Sequence, residues 1–378
     1  MEKDPVAHVR TSLWALPEDA PVVRNPPRPI ELREPGYMDR FDSRTVLYDA
    51  FLDDDRVVLV GPPPRNLKRH LRDSRWTIDG VEVDPTIFAR RKAMESYAPV
   101  PPQVSAPSTL RIEGGLGDVE LTIQPSHLDL FANRRVVFTL SKNNDLAWIR
   151  QWANFYVQQH GADAVLLYDN GSTEYTTEDL RLTLGSVPGL DTVVVVDWDH
   201  PYGPQGFDNG LWESFYLQRN TMVHARGRFL ARAQGVLNSD IDELVLTSDG
   251  DSVFSHAERS PEAVVLFGGR WIENDVPEGG YSADAPAFRD FGRFDPEGAD
   301  AYPKWCLDPR RLSDEAVWGT HGVHPMANQP NTDAVLMRHF RGISTHWKYE
   351  RNARESAGLV VDGDLRRVMD AIDWDRTR

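Results

Sequence analysis

The side chains in this sequence best equipped for chemistry are the carboxylates of Asn238-Ser-Asp240-Ile-Asp242-Glu243-Leu244. On extended backbone, side chains two positions apart point to the same side. Asp240 and Asp242 would then face one point, where like charges repel unless a cation sits between them or one takes up a proton. Hard divalent ions such as Mg²⁺ or Mn²⁺ favour oxygen ligands, typically one or two carboxylates completed by substrate phosphates. Read alone, an Asp-x-Asp pair is more often an acidic surface turn, and its company decides the matter. Tyr168-Asp169-Asn170-Gly171-Ser172-Thr173 offers a side-chain acceptor, a tight turn and exposed backbone N–H groups. Ser141-Lys142-Asn143-Asn144-Asp145 holds a lysine able to steady a diphosphate, or simply an Asn or Asp cap for a helix.

Each of these polar runs closes an apolar one. Arg135-Val-Val-Phe-Thr-Leu140, Ala164-Val-Leu-Leu-Tyr168, Thr192-Val-Val-Val-Val-Asp197 and Val236-Leu-Asn-Ser239 read as buried strands or strand ends. Between the first two, Leu146, Ile149, Trp152, Phe155 and Tyr156 recur at helical spacing, and 209–230 reads as a second helix. Strands alternating with helices predict an α/β, Rossmann-like parallel sheet with right-handed crossovers, whose ligands gather at the carboxyl ends of the strands.

Upstream the rhythm differs. Residues 1–40, rich in Pro and charge, read as an extended N-terminal arm, and 41–130 as a small, mostly-β domain of short strands broken by Gly61-Pro-Pro-Pro64, Asp79-Gly80 and Gly114-Gly115. A Pro-rich loop crosses that domain at 98–107; the catalytic domain is expected over 131–350 and a helical tail over 351–378.

The net charge of −16, from 58 acidic against 42 basic residues, argues against a nucleic-acid partner, which needs a concentrated basic face. The short basic cluster Arg65-Asn-Leu-Lys68-Arg69-His70 reads as a solvated face. A single cysteine, Cys306, excludes an internal disulfide, suits a reducing compartment and reads as a small buried residue. With no signal-peptide layout and no apolar run near the roughly 20 residues of a membrane helix, a cytoplasmic protein without an integral membrane segment is expected. Peripheral membrane association stays open.

In order and spacing, the motifs resemble glycosyltransferase family 92 and its bacterial relatives of the broader family 2 type. The stretches concerned are Lys142-Asn-Asn-Asp-Leu-Ala-Trp148-Ile with His160-Gly-Ala-Asp163, Leu167-Tyr-Asp-Asn-Gly-Ser172, Val196-Asp-Trp198 and Ser239-Asp-Ile-Asp-Glu-Leu244. Weaker likeness continues through Lys304-Trp-Cys-Leu-Asp-Pro309, Val323-His324 and His339-Phe-Arg341. The sequence departs from the family pattern at Asn144, where Glu is usual, and at Leu244, where Phe is usual. The resemblance implies a GT-A fold and an inverting, metal-dependent transfer of a hexose from a UDP-sugar donor to a glycan or other hydroxyl acceptor. It implies Mn²⁺ or Mg²⁺ held by Asp240 and Asp242, with His324 and His339 as later ligands, and Asp169 accepting from the uracil N3–H. Ser141, Lys142, Asn143, Asn170, Ser172, Asp240 and Trp271 would join Asp169 around the nucleotide sugar.

A departing UDP needs its charge neutralised, and the acceptor hydroxyl needs a base within reach. Glu273, or next Asp275, follows the strand-like Ala263-Val-Val-Leu-Phe267 and is the expected base, just before a Pro/Gly-rich loop, Val276-Pro-Glu-Gly-Gly-Tyr281. Trp271 offers a face for a sugar ring or simply packs in the core. Two other readings remain: a non-catalytic nucleotide-sugar or glycan-binding module, and a haloacid dehalogenase-type phosphohydrolase. The second is disfavoured because there the Asp-x-Asp motif opens the domain, whereas here three strand-like segments precede it.

Overall fold

The computed structural model is described here over residues 6–90, 92–102, 104–204, 212–275, 286–326, 329–345 and 358–377. It divides into two compact units. The expected loop at 276–281 lies outside the described residues.

The first unit comprises Met1–Val9, Phe131–Asp197 and Arg232–Arg378. Its sheet is built from β1 (Val6–Val9), β2 (Arg135–Ser141), β3 (Ala164–Asp169), β4 (Thr192–Asp197), β5 (Gly235–Asn238), β6 (Glu243–Thr247), β7 (Val264–Ile272), β8 (Ala301–Leu307) and β9 (Val335–Phe340), in the order β1-β4-β3-β2-β5-β8-β7-β9-β6. From β1 to β5 every pairing is parallel, and β8 then runs antiparallel to both β5 and β7. This is a mixed α/β unit with a large, mainly parallel sheet. The chain moves outward from β2 to β3 and β4, then returns to place β5 on the other flank of β2, so a topological switch point lies between β2 and β5.

The strands hold because Val, Leu and Ala fill both faces, and β3 is buried throughout its length. Helix α1 (Leu146–His160) starts where the Asp145 side chain accepts from Ala147 N at 2.7 Å, and it ends at Gly161 with φ 64. It buries Trp148, Ile149, Trp152, Phe155 and Tyr156 against the sheet. Its last residue, His160, is fixed as a neutral ring: Nδ1 accepts from Val253 N at 3.2 Å, so Nε2 donates to Val245 O at 2.7 Å.

The far half of the sheet folds back where the β7–β8 register shifts, between Phe267 opposite Lys304 and Gly269 opposite Ala301, the extra residue lying in β8. Residues up to Gly269 pair with β8, whereas Gly269 to Ile272 pair with β9. Glycine is needed there because a Cβ on Gly269 would stand 2.4 Å from Met337 Cε and 2.9 Å from Ala301 Cβ. Through this fold-back β6, only four residues after β5, pairs with β9 instead of with β5.

The expected tail holds α2 (Gly363–Ala371), capped by Asp362, whose carboxylate also pairs with Arg338 at 2.8 Å and Arg270 at 3.2 Å. Leu365, Met369, Ile372 and Trp374 are buried in the main core, so this helix is part of the unit and not an appendage. Trp374 stacks on Phe155 and Phe288.

The second unit comprises Arg10–Leu130 and Trp198–Ala231. It holds an antiparallel sheet of Asp49–Asp53, Arg56–Gly61 and Met94–Pro99, and another of Val119–Ile123, Ser108–Glu113, Arg75–Ile78 and Val81–Val83. Two expected boundaries differ from the structure. From residue 6 to 40 the chain is not an extended arm: Val6–Val9 is a sheet strand, and Arg24, 1% exposed, donates to the carbonyls of Pro63, Asp42 and Thr45. Residues 198–231, expected in the later domain, belong with the β-rich unit. There Asp49, wholly buried, draws His224 Nε2 to 2.8 Å and Arg228 to 2.7 Å, and a buried carboxylate demands such partners.

Candidate active site

Two loops at the carboxyl edge, after β2 and after β3, are stitched together. Asn170 N donates to Ser141 O at 2.8 Å, Lys142 Nζ to Asn170 O at 2.9 Å, and Asn143 N to Ser172 Oγ at 2.8 Å. Asn143, at φ 52, accepts from Thr173 N at 2.7 Å through its side chain, the short amide standing in for backbone. Ser141, Lys142, Asn143, Asn170 and Ser172 are thus brought together, and in this structure they brace one another. Asp169 anchors the same turn, accepting from Ser172 Oγ at 2.5 Å and Ser172 N at 3.1 Å. Burial raises its pKa, the Ser172 bonds pull it down, and Asp197, its partner in register on β4, pushes it up again. A carboxylate offers about four acceptor sites, so Asp169 retains capacity for an incoming N–H.

Asp240 and Asp242 lie in the turn between β5 and β6, where Glu243 N donates to Asp240 O at 3.1 Å. In this turn, which is not extended strand, the two carboxylates have different partners. Asp240 meets Lys304 Nζ at 2.9 Å, whereas Asp242 meets His339 Nε2 at 3.1 Å. Glu243 joins the two halves: Oε2 lies 3.1 Å from Lys304 Nζ and accepts from Asp240 N at 2.9 Å, and Oε1 lies 3.7 Å from His339 Nδ1. Burial pushes Glu243 up to about 7 against the pull of Lys304. Burial would lower Lys304, but Asp240 and Glu243 outweigh it and hold the ammonium charged. Ligating atoms of Asp242, Glu243 and His339 lie within 4.8 Å of one another. Two carboxylates and an imidazole suit a hard or borderline divalent ion such as Mg²⁺ or Mn²⁺.

Around this cluster, Trp271 on β7 stacks on His339 with ring centres 4.0 Å apart, and the Arg341 guanidinium stands 4.1 Å from the indole centre. Trp271 is half-buried, with these two groups against its ring. Glu273 and Asp275 are buried and held by arginines, Glu273 by Arg341 at 3.3 Å and Asp275 by Arg293 at 3.3 Å. His324 is not brought to the cluster: it is exposed on the hairpin of Val317–Gly319 and Gly322–His324, opposite Val317. Lys304 and Glu243 stand in the motifs above without a role of their own. Glu243 directly follows Asp242, and Lys304 is a charge set into the strand Ala301–Leu307, a signal in itself.

No family model matches this sequence, and no curated protein does. Among solved structures, the chain is similar to the galactosyltransferase LgtC in complex with donor and acceptor sugar analogues, at 14% identity and a TM-score of 0.26. It is similar to an active-site mutant of LgtC at 15% identity and the same TM-score of 0.26. Each alignment covers 47% of this chain, which spans 58% of the LgtC chain. An amylomaltase from Corynebacterium glutamicum aligns at 18% identity and a TM-score of 0.13, over 30% of this chain and 20% of that one. Likeness at these scores carries no argument, and the fold stands on the strand order described above.

Proposed function

We propose that this chain is a metal-dependent glycosyltransferase of GT-A type that takes a UDP-sugar as donor. One observation carries the reading: Asp242, Glu243 and His339, a group able to hold a divalent cation, and a braced acceptor turn, Asp169–Ser172, stand at strand ends on opposite sides of the β2/β5 switch point. In sheets of this order, nucleotides bind across that crevice. Asp169 would accept from the base, and the Ser141–Asn143 loop would border the ribose and phosphates. Asp242 and His339, with Glu243 behind them, would hold Mn²⁺ or Mg²⁺, which when bound supplies charge neutralisation for the departing diphosphate. Asp240, shared with Lys304, would complete the polar wall. Glu273 is the proposed base toward a glycan or other hydroxyl acceptor, and its pairing with Arg341 would have to loosen as that hydroxyl arrives.

The arginine pairing of both Glu273 and Asp275 also favours a second reading, a module that binds the nucleotide sugar without turning it over. One experiment addresses both. Melting is followed with UDP, UDP-glucose and UDP-galactose, with and without Mn²⁺, for the parent and for Asp242→Asn, and UDP release is assayed in parallel. Mn²⁺-dependent stabilisation of roughly 2.7 kcal/mol is expected at a hundredfold excess over the dissociation constant, and Asp242→Asn should abolish it. Stabilisation without UDP release would favour the binding module, and no stabilisation by any nucleotide would refute the reading.

A further inference from the structure

Tyr302, at the start of β8, is 73% exposed, a large ring left in water beside the candidate site. An exposed ring alone is ordinary. This one is held in place: the His321 ring stands against it at 5.0 Å and 33°, and His321 Nδ1 is fixed to Pro303 O at 3.1 Å. The hairpin tip that carries His321 is tied down twice more, by Trp305 Nε1 donating to Gly319 O at 2.6 Å and by Asn238 Nδ2 donating to Thr320 O at 2.9 Å. Both tethers lead to the cluster. Asn238 ends β5 two residues before Asp240, and Trp305 directly follows Lys304, which contacts Asp240 at 2.9 Å and lies two residues after Tyr302. Two residues span at most about 7 Å, so the ring pair stands within a sugar's reach of the Asp240 turn.

We propose that Tyr302 and His321 form a stacking platform for a pyranose ring of the acceptor, a glycoside or the end of an oligosaccharide. The face of an aromatic ring is electron-rich, and a pyranose presents a face of weakly positive C–H bonds that it attracts. The tyrosine hydroxyl remains wet and able to bond a sugar hydroxyl. Naming the sugar as acceptor rests on the transferase reading, whereas the platform itself does not.

The test is saturation-transfer NMR with methyl β-D-glucoside, methyl β-D-galactoside, lactose and cellotriose, on the full chain and its Tyr302→Ala, Tyr302→Phe and His321→Ala variants. At its exposure, truncating Tyr302 leaves the core intact, and a melt of each variant verifies this. At least one sugar should receive saturation at its ring C–H protons. Tyr302→Ala should weaken its binding by about 3- to 10-fold, His321→Ala should weaken it less, and Tyr302→Phe should keep most of it. The proposal is overturned if no sugar is saturated, or if Tyr302→Ala binds as the parent does. Saturation that depends on Tyr302 in a parent not stabilised by UDP and Mn²⁺ would sink the transferase reading alone.

Discussion

Replacing Lys304 by Met keeps the side-chain volume and removes the ammonium from between Asp240 and Glu243. The two carboxylates differ in what they lose. The Glu243 side chain is 1% exposed, so water cannot replace its partner; the Asp240 side chain, at 35%, is partly screened by solvent. Breaking a buried pair by deleting one partner costs about 3–5 kcal/mol. Glu243 limits that cost, because burial already pushes it up to about 7 and losing Lys304 pushes it further, so it takes up a proton near neutral pH. The expected loss is therefore about 3 kcal/mol, the lower end of that range. It should be partly recovered by Mn²⁺, since a divalent ion at Asp242, Glu243 and His339 supplies the missing positive charge. Urea unfolding at pH 7.5 with and without Mn²⁺ measures both effects, and the Mn²⁺ increment should be larger in Lys304→Met than in the parent. A loss below about 1 kcal/mol, the scale of an exposed ion pair, would show that Lys304 does not neutralise this turn. An unchanged Mn²⁺ increment would show that the lysine and the cation do not share it.

Two further outcomes follow from buried charge. His160 is driven down to about 4 by burial, so the unfolded chain takes up its proton first on acidification; stability is present above 6.5 and is lost as pH falls toward 4. The span is on the order of 3 kcal/mol, and urea midpoints against pH should show a flatter acid limb in His160→Gln than in the parent; equal limbs would refute it. Asp49→Asn leaves the Arg228 guanidinium buried without its anion, beside a His224 ring that burial drives toward its neutral form, and it should cost about 3–5 kcal/mol by urea unfolding. A cost under about 1 kcal/mol would mean that other groups carry the Arg228 charge.

How much of this was legible depends on the range of the interaction. The strands at 135–141, 164–169 and 192–197 and the helix at 146–160 are written in local periodicity and capping, and the structure has them. Parallel pairing then gathers the polar runs after Leu140 and Tyr168 on one edge, a consequence of topology that alternating strands and helices already imply. At Asp240–Asp242 the period-two rule does not apply, because β5 ends at Asn238 and the segment is a turn. Its setting is remote: at Gly269 β7 exchanges β8 for β9, and β9 in turn pairs with β6. His339 reaches the turn through that same exchange and Lys304 from β8 beside β5, from positions whose local sequence says only that a charge and an imidazole sit in apolar strands. Such residues violate the strand pattern they occupy, and a violation of that kind marks a place where a distant partner must exist. Asp49 obeys the same rule in the other unit, where its need for His224 and Arg228 brings 198–231 back to the β-rich fold. Buried charges set into apolar strands were thus the readable trace of the long-range contacts; periodicity alone passed over them.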